Sequence, residues 1–264
     1  MNKKCLIPIT FIIMMLICVI AFKKSIIHVQ LPHGATLHIL SVGKIKNAYG
    51  AVVICPGGGY SYLEKWREGY WWFPFFYFHG FTPALLEYRM PKHNYHRPIT
   101  DGAEAIQMMR KFAKELSYDV NNVGIVGFSA GGHLASTMMV QENDSICPNY
   151  GILFYPVISM QKELTHMDTH DQLLGKDASE ELELQFSNEL HVSEKTPPAF
   201  VAIANDDKAV SPRSSVLFSD AMRTKNRPVE LHIYPSGGHG WACHFTAKYR
   251  RQVLEDLTEW LSNR

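Results

Sequence analysis

Gly127-Phe128-Ser129-Ala130-Gly131 is a G-x-S-x-G run that stands between a short apolar segment, Val123 to Val126, and a stretch with helical spacing. A nucleophile elbow requires this context: a strained turn lifts one hydroxyl clear of the backbone, and glycines flank it because side chains there would collide with neighbouring chain. A serine hydroxyl is a weak nucleophile near neutral pH, so a base must take its proton and an acid must hold the base. Both are present downstream. Asn205-Asp206-Asp207-Lys208-Ala209-Val210 follows the apolar run ending at Ala204, and Ser236-Gly237-Gly238-His239-Gly240 follows the segment ending at Tyr234. Ser, then Asp, then His is one of the chain orders in which this triad occurs. His239, among glycines that let its loop approach the serine, is the general base and later the general acid. Asp206 and Asp207 are neighbours that must point differently, and either could supply the carboxylate.

An attacked carbonyl develops a negative oxygen, and each fixed donor aimed at it contributes about 3 to 4 kcal/mol. Pro56-Gly57-Gly58-Gly59-Tyr60, directly after the apolar run 51 to 55, can bend back and present the amides of Gly58 and Gly59, with the amide of Ala130 as a further donor. The same glycines do not read as a phosphate loop, since no Gly-Lys-Ser/Thr and no G-x-G-x-x-G opening a helix follows. His166 and His170, with Asp168 and Asp171, raise the question of a metal. There is no His-Glu-x-x-His and no Cys or Glu spacing that completes a zinc set, so neither metal nor cofactor is expected. Among 13 histidines, His133 and His244 lie near the elbow and the last loop but are assigned to helices with structural roles. The aromatic segment from Trp66 to Phe78 reads mostly as a helix packed on the sheet, with Tyr60 or Trp66 free to face the site and stack on a sugar ring.

These loops need a scaffold. Residues 51 to 55, 152 to 155 and 199 to 204 are short unbroken apolar runs, which suit parallel strands covered on both faces, and Val123, Ile125 and Val126 form a fourth. Residues 26 to 31 and 35 to 40, around Pro32, His33 and Gly34, predict an opening antiparallel hairpin, and Val229, Leu231 and Ile233 alternate as in a half-exposed strand. Ala103, Ile106, Met109, Ala113 and Leu116 recur at helical spacing after Asp101 and Glu104 placed like a capping box, which predicts a helix over 101 to 117. Val253, Leu254, Leu257, Trp260 and Leu261 mark a last helix. Alternating strands and helices give a mostly parallel, doubly wound α/β sheet with helices on both faces and its ligand site beyond the carboxyl ends of the strands. Residues 159 to 196 lack strand character and are too long for an ordinary connection, so they are expected to form a short lid or cap.

The chain has 264 residues, enough for one large domain, with 26 Lys plus Arg against 25 Asp plus Glu. No field of one sign is available to hold a polyphosphate, so nucleic acid is not an expected partner. Lys3 and Lys4 precede an apolar run from Cys5 to Phe22, which Lys23 and Lys24 close. Residues 1 to 22 are therefore expected to be a signal peptide or an N-terminal membrane anchor, with residues 23 to 264 as the exported catalytic domain, periplasmic, secreted or held at a membrane. Cleavage after Ala21 leaves Cys55, Cys147 and Cys243, an odd count that indicates no disulfide framework, although Cys147 and Cys243 could pair in an oxidising compartment.

From Ala51 to Trp241 the chain resembles the small bacterial α/β-hydrolases grouped with acetyl xylan esterases and related feruloyl and carbohydrate esterases. The resemblance rests on Pro56-Gly57-Gly58-Gly59-Tyr60, Arg67-Glu68-Gly69, Tyr88-Arg89, Arg97-Pro98 with Asp101, Gly127 to His133, Tyr155 to Ile158, Leu173-Leu174-Gly175, Ser187-Asn188-Glu189, Thr196-Pro197-Pro198, Asp206-Asp207 and Tyr234-Pro235 with Gly237 to Gly240. It implies an α/β-hydrolase fold and a triad of Ser129, Asp207 and His239, the acid being the Asp of an Asp-x-x-Val that ends at Val210. It also implies O-deacetylation of a plant-type polysaccharide or oligosaccharide through an acyl-enzyme. Ala204-Asn205 stands where such enzymes often have His-Ala or His-Gly, and no proline follows Val210. Other readings are a lipid or short-chain carboxylesterase, a peptidase of the prolyl oligopeptidase type, and a hydrolase-like binding protein without catalysis.

Overall fold

A computed structural model describes residues 25–41 and 48–264. The expected export segment lies outside the described residues. Eight strands form one sheet: β1 (Ile26–Gln30), β2 (Thr36–Leu40), β3 (Gly50–Cys55), β4 (Phe81–Glu87), β5 (Val123–Phe128), β6 (Gly151–Phe154), β7 (Ala199–Ala204) and β8 (Val229–Tyr234). Their spatial order is β1-β2-β4-β3-β5-β6-β7-β8. The hairpin β1–β2 and the β2–β4 pair are antiparallel, and every pair from β4 to β8 is parallel.

The unbroken apolar runs are explained by burial on two faces. In β3, Ala51, Val53 and Cys55 enter one core while Val52 and Ile54 enter the other. In β7, Ala199, Val201 and Ile203 oppose Phe200, Ala202 and Ala204 in the same way. One face is covered by α2 (His96–Leu116), α3 (Ser129–Met139) and α6 (Pro212–Thr224), the other by α1 (Phe73–Phe78) and α7 (Arg250–Ser262). Trp72, Phe73 and Phe76 of the aromatic segment are buried in the second core, although the helix there is a single short one preceded by a 3-10 turn at Tyr70–Trp72.

One expectation is corrected. The helix predicted over 101 to 117 starts at His96, and Asp101 does not cap it. Asp101 is fully buried and accepts from the Arg89 backbone amide at 2.8 Å and from Arg89 Nη2 at 2.7 Å, so it ties the end of β4 to the helix. Strand β4 is additional to the strands that the sequence pattern predicts. Residues 159–196 contain α4 (Met167–Leu174) and α5 (Glu180–Gln185), and they are fastened to the elbow helix: Asn188 Nδ2 donates to Ser136 Oγ at 2.7 Å and to the His133 carbonyl at 3.2 Å. Among the described residues no helix is long and apolar enough to cross a membrane.

Candidate active site

The loops after β3, β5, β6, β7 and β8 all leave the same edge of the sheet, because the strands are parallel and in register, Cys55 beside Gly127 and Ala204 beside Tyr234. Ser129 follows β5 with φ +51°, a left-handed conformation that costs a residue with a Cβ roughly 1 to 2 kcal/mol. The turn is held by close packing. A Cβ on Gly131 would stand 2.1 Å from the Cys55 carbonyl oxygen and 2.3 Å from that of Pro56, and one on Gly127 would stand 2.4 Å from the Gly131 oxygen.

Three loops meet at this serine. His239 Nε2 lies 2.8 Å from Ser129 Oγ, and His239 Nδ1 lies 2.7 Å from Asp207 Oδ2. The Asp207 carboxyl is almost entirely enclosed, and its other oxygen accepts the amides of Ala209 at 2.9 Å and Val210 at 3.0 Å. The Asp-x-x-Val spacing thus has a physical basis: the loop folds its own amides onto the acid, and Val210 is buried behind it. Asp206 faces elsewhere and accepts the Gly238 amide at 2.8 Å, which fastens the histidine loop. The two adjacent aspartates divide the work, one on the imidazole and one on the loop that carries it.

The Gly57 amide is engaged by Glu68 Oε2 at 2.8 Å, and the amides of Gly58, Gly59 and Ala130 have no protein acceptor among the described residues. Gly58 and Gly59 have φ of +122° and +61°, and a Cβ on Gly58 would stand 2.2 Å from the Tyr62 carbonyl oxygen, so only glycine fits that turn. A cavity of about 370 Å³ opens over Ser129 and His239. Its lining also includes Gly58, Gly59, Ser61, Tyr62, Glu64, Arg67 and Glu68 from the segment after β3, His166 and Asp168 from the segment after β6, and Gly240, Cys243 and His244 from the segment after β8.

The BD-FAE family pattern matches residues 37–222, which include the glycine loop, the elbow and Asp207. The chain belongs to the BD-FAE family. It is 38% identical over 217 residues to an acetylxylan esterase of Xylanibacter ruminicola, a match that covers 81% of this chain and 45% of that protein. It is 32% identical over 206 residues to endo-1,4-beta-xylanase B of Butyrivibrio fibrisolvens, covering 72% of this chain and 32% of that one. The chain therefore spans less than half the length of these relatives. Among solved structures, an acetyl ester-xyloside bifunctional hydrolase from Caldicellulosiruptor lactoaceticus superposes with a TM-score of 0.80 at 30% identity, covering 88% of this chain and 89% of that one. The fold is the α/β-hydrolase fold.

Within this BD-FAE domain several expected placements are revised. Tyr60 does not face the cavity. Its ring is buried, and its hydroxyl is 3.1 Å from His133 Nδ1, because the left-handed backbone at Tyr60 (φ +59°) turns the side chain under the loop. Tyr62, two residues on, lines the cavity instead and is well exposed. Trp66 is exposed beside Tyr70 but does not line the cavity. His133 sits on α3 as expected, fully enclosed, and burial pushes its pKa down to about 4. His244 lies just after the 3-10 turn Trp241–Cys243, not on a helix, and contributes to the cavity wall. His166 and His170 do not converge: His170 is buried between Asp171 and Glu183, whereas His166 lines the cavity with its Nδ1 on Thr169. Among the described residues no group of three or more His, Cys, Asp or Glu could hold a metal ion. Cys55, Cys147 and Cys243 are free thiols. Glu68, Tyr155 and Cys243 were not singled out by sequence as parts of the site, and only the quoted Arg67-Glu68-Gly69 and Tyr155-Pro156 runs carried a trace of them.

Proposed function

We propose that this chain is a serine esterase that removes O-acetyl groups from plant-type polysaccharides or oligosaccharides through an acyl-enzyme. The observation that carries this reading is the unbroken chain of contacts from Asp207 through His239 to the strained Ser129, at 2.7 and 2.8 Å. Ser129 Oγ attacks the ester carbonyl carbon while His239 Nε2 takes its proton. Asp207 holds Nδ1 and stabilises the imidazolium. The amides of Gly58, Gly59 and Ala130 are suited to receive the oxyanion, and His239 returns the proton to the departing sugar hydroxyl. Water, activated by the same imidazole, then releases acetate and restores the serine.

The names of the relatives, an acetylxylan esterase and an acetyl ester-xyloside hydrolase, support the substrate class. So does the cavity wall. Ser61, Glu64, Arg67, His166, Asp168 and His244 offer donors and acceptors for sugar hydroxyls. Purified protein beginning near Lys23 is to be assayed on acetylated xylan, feruloyl esters and p-nitrophenyl esters of increasing chain length. Acetate release from xylan with weak turnover of long chains is expected, and the reverse pattern refutes the carbohydrate substrate. A fluorophosphonate probe should label the wild type and not Ser129→Ala. We also propose that the chain is exported through its first 22 residues, on the strength of the lysine-flanked apolar run from Cys5 to Phe22. The mass of the mature N-terminus distinguishes a cleaved signal from an anchor.

A further inference from the structure

Glu68 is a carboxylate beside the triad for which the reaction above has no role. It is only 7% exposed, and burial raises its pKa while the Gly57 amide and the Tyr155 hydroxyl act in the opposite direction. Enclosing a carboxylate is unfavourable unless its oxygens are hydrogen-bonded, and here both are. Oε2 accepts the Gly57 amide at 2.8 Å, and Oε1 accepts the Tyr155 hydroxyl at 3.0 Å.

Each partner leads to a part of the catalytic apparatus. Gly57 immediately precedes Gly58 and Gly59, and a Cβ placed on it would stand 2.6 Å from Glu68 Oε2 and 2.8 Å from Ser129 Cβ, so the loop is pressed closely between carboxylate and elbow. Tyr155 follows β6 with φ +36°, a genuine outlier for a bulky side chain and a strain that surrounding contacts must maintain. Its ring meets the His239 imidazole edge to face at 4.9 Å, and its hydroxyl is also 3.1 Å from Cys243 Sγ. One carboxylate therefore touches both the loop that carries the oxyanion donors and the tyrosine that backs the base.

We propose that Glu68 is a positioning residue for the esterase reaction proposed above, on which this inference rests: by holding the Gly57 amide and the Tyr155 hydroxyl together it keeps the Gly58 and Gly59 amides and the His239 ring in register with Ser129. Its action is geometric. An amide side chain of the same shape can do the work, with its carbonyl on Gly57 and its NH2 on the Tyr155 oxygen, whose proton then turns to Cys243.

The test measures kcat and KM on p-nitrophenyl acetate across pH for wild type, Glu68→Gln, Glu68→Ala and Tyr155→Phe. Wild-type turnover alone tests the esterase reading, and its absence would sink that reading and this one with it. With turnover present, Glu68→Ala is expected to lower kcat about 30- to 100-fold with KM within about threefold, the size of effect seen when oxyanion donors or reacting groups are displaced. Glu68→Gln is expected to stay within about fivefold of wild type with its pH profile unmoved, and Tyr155→Phe to fall between the two. Two results overturn the proposal while leaving the esterase reading intact. One is wild-type kcat in Glu68→Ala. The other is Glu68→Gln as slow as Glu68→Ala with the acidic limb of its profile moved, which would make the role one of charge.

Discussion

Asp207→Asn is the substitution for which the structure makes the sharpest demand. The amides of Ala209 and Val210 both donate to Asp207 Oδ1 and offer no acceptor in return. An asparagine there must give its carbonyl oxygen to them and turn its NH2 toward His239 Nδ1. An NH2 group cannot accept, so Nδ1 loses its proton, Nε2 gains it, and the imidazole donates to Ser129 Oγ instead of accepting from it. The opposite orientation sets the NH2 against two amide donors in an enclosed site, which forfeits two hydrogen bonds at about 1 to 3 kcal/mol each. The working tautomer is then populated at about 1 part in 30 to 1 part in 20,000, and the lower end agrees with the roughly 10⁴-fold loss in kcat known for this swap in another serine hydrolase. The shape of the side chain is unchanged, so the thermal midpoint should hold within a few degrees. Stopped-flow hydrolysis of p-nitrophenyl acetate gives the acylation rate directly. Asp206→Asn is the matched control, since its carbonyl still accepts the Gly238 amide and activity should stay within about threefold. A folded Asp207→Asn enzyme within tenfold of wild type would refute the assignment of the acid and the tautomer argument with it.

Gly131→Ala places a methyl 2.1 Å from one backbone oxygen and 2.3 Å from another, neither of which can rotate away, so urea denaturation should show a loss of about 1 to 3 kcal/mol together with lost activity. Asp168→Ala removes an exposed acceptor from the cavity wall and is expected to raise KM for acetylated xylo-oligosaccharides about tenfold while leaving p-nitrophenyl acetate unaffected. His133 should make folding sensitive to acid. The Phe186 carbonyl can only accept, so Nε2 carries the proton, Nδ1 takes the Tyr60 hydroxyl, and burial leaves no room for the charged form. Its folded pKa of about 4 lies below the unfolded value near 6.5, so this contribution is complete above pH 6.5 and is lost as pH falls toward 4, by about 3 kcal/mol. Denaturant melts at intervals between pH 7 and 4 measure the slope, which His133→Gln should flatten.

The candidate site was legible in the sequence because each of its principal parts is a loop with an unusual backbone requirement. Gly58 and Gly59 both have positive φ, and Gly127 and Gly131 have no space for a methyl, so their types are dictated by geometry and survive as a readable pattern. The cavity wall obeys no such rule. Tyr60 and Tyr62 are indistinguishable by type and nearly by position, yet the left-handed turn at Tyr60 sends one under the loop toward His133 and leaves the other in the cavity. Asp168 and His166 reach the cavity from a segment whose place is fixed by long-range bonds such as Asn188 to Ser136, which local spacing does not encode.

The strand β4 is hard to read from the sequence for a related reason. Phe81–Glu87 contains Pro83, and a proline argues against a strand inside a sheet because it lacks an amide for the ladder. In the fold β4 lies between β2 and β3, but its antiparallel pairing with β2 runs from Glu87 only as far as Ala84, opposite Ile39. Pro83 falls one residue past that limit, so its missing amide interrupts nothing on that side, while the parallel pairing with β3 continues through Val52. The helix α2 repeats the lesson. Pro98 marks a break by local rules, but it occupies the first turn, where amides have no helical partner in any case. Asp101, which reads as a cap three residues later, is drawn off by Arg89 from the end of β4. In both places the deciding contact lies outside the segment itself: the pairing with β2 stops short of Pro83, and Arg89 beyond the end of β4 claims Asp101.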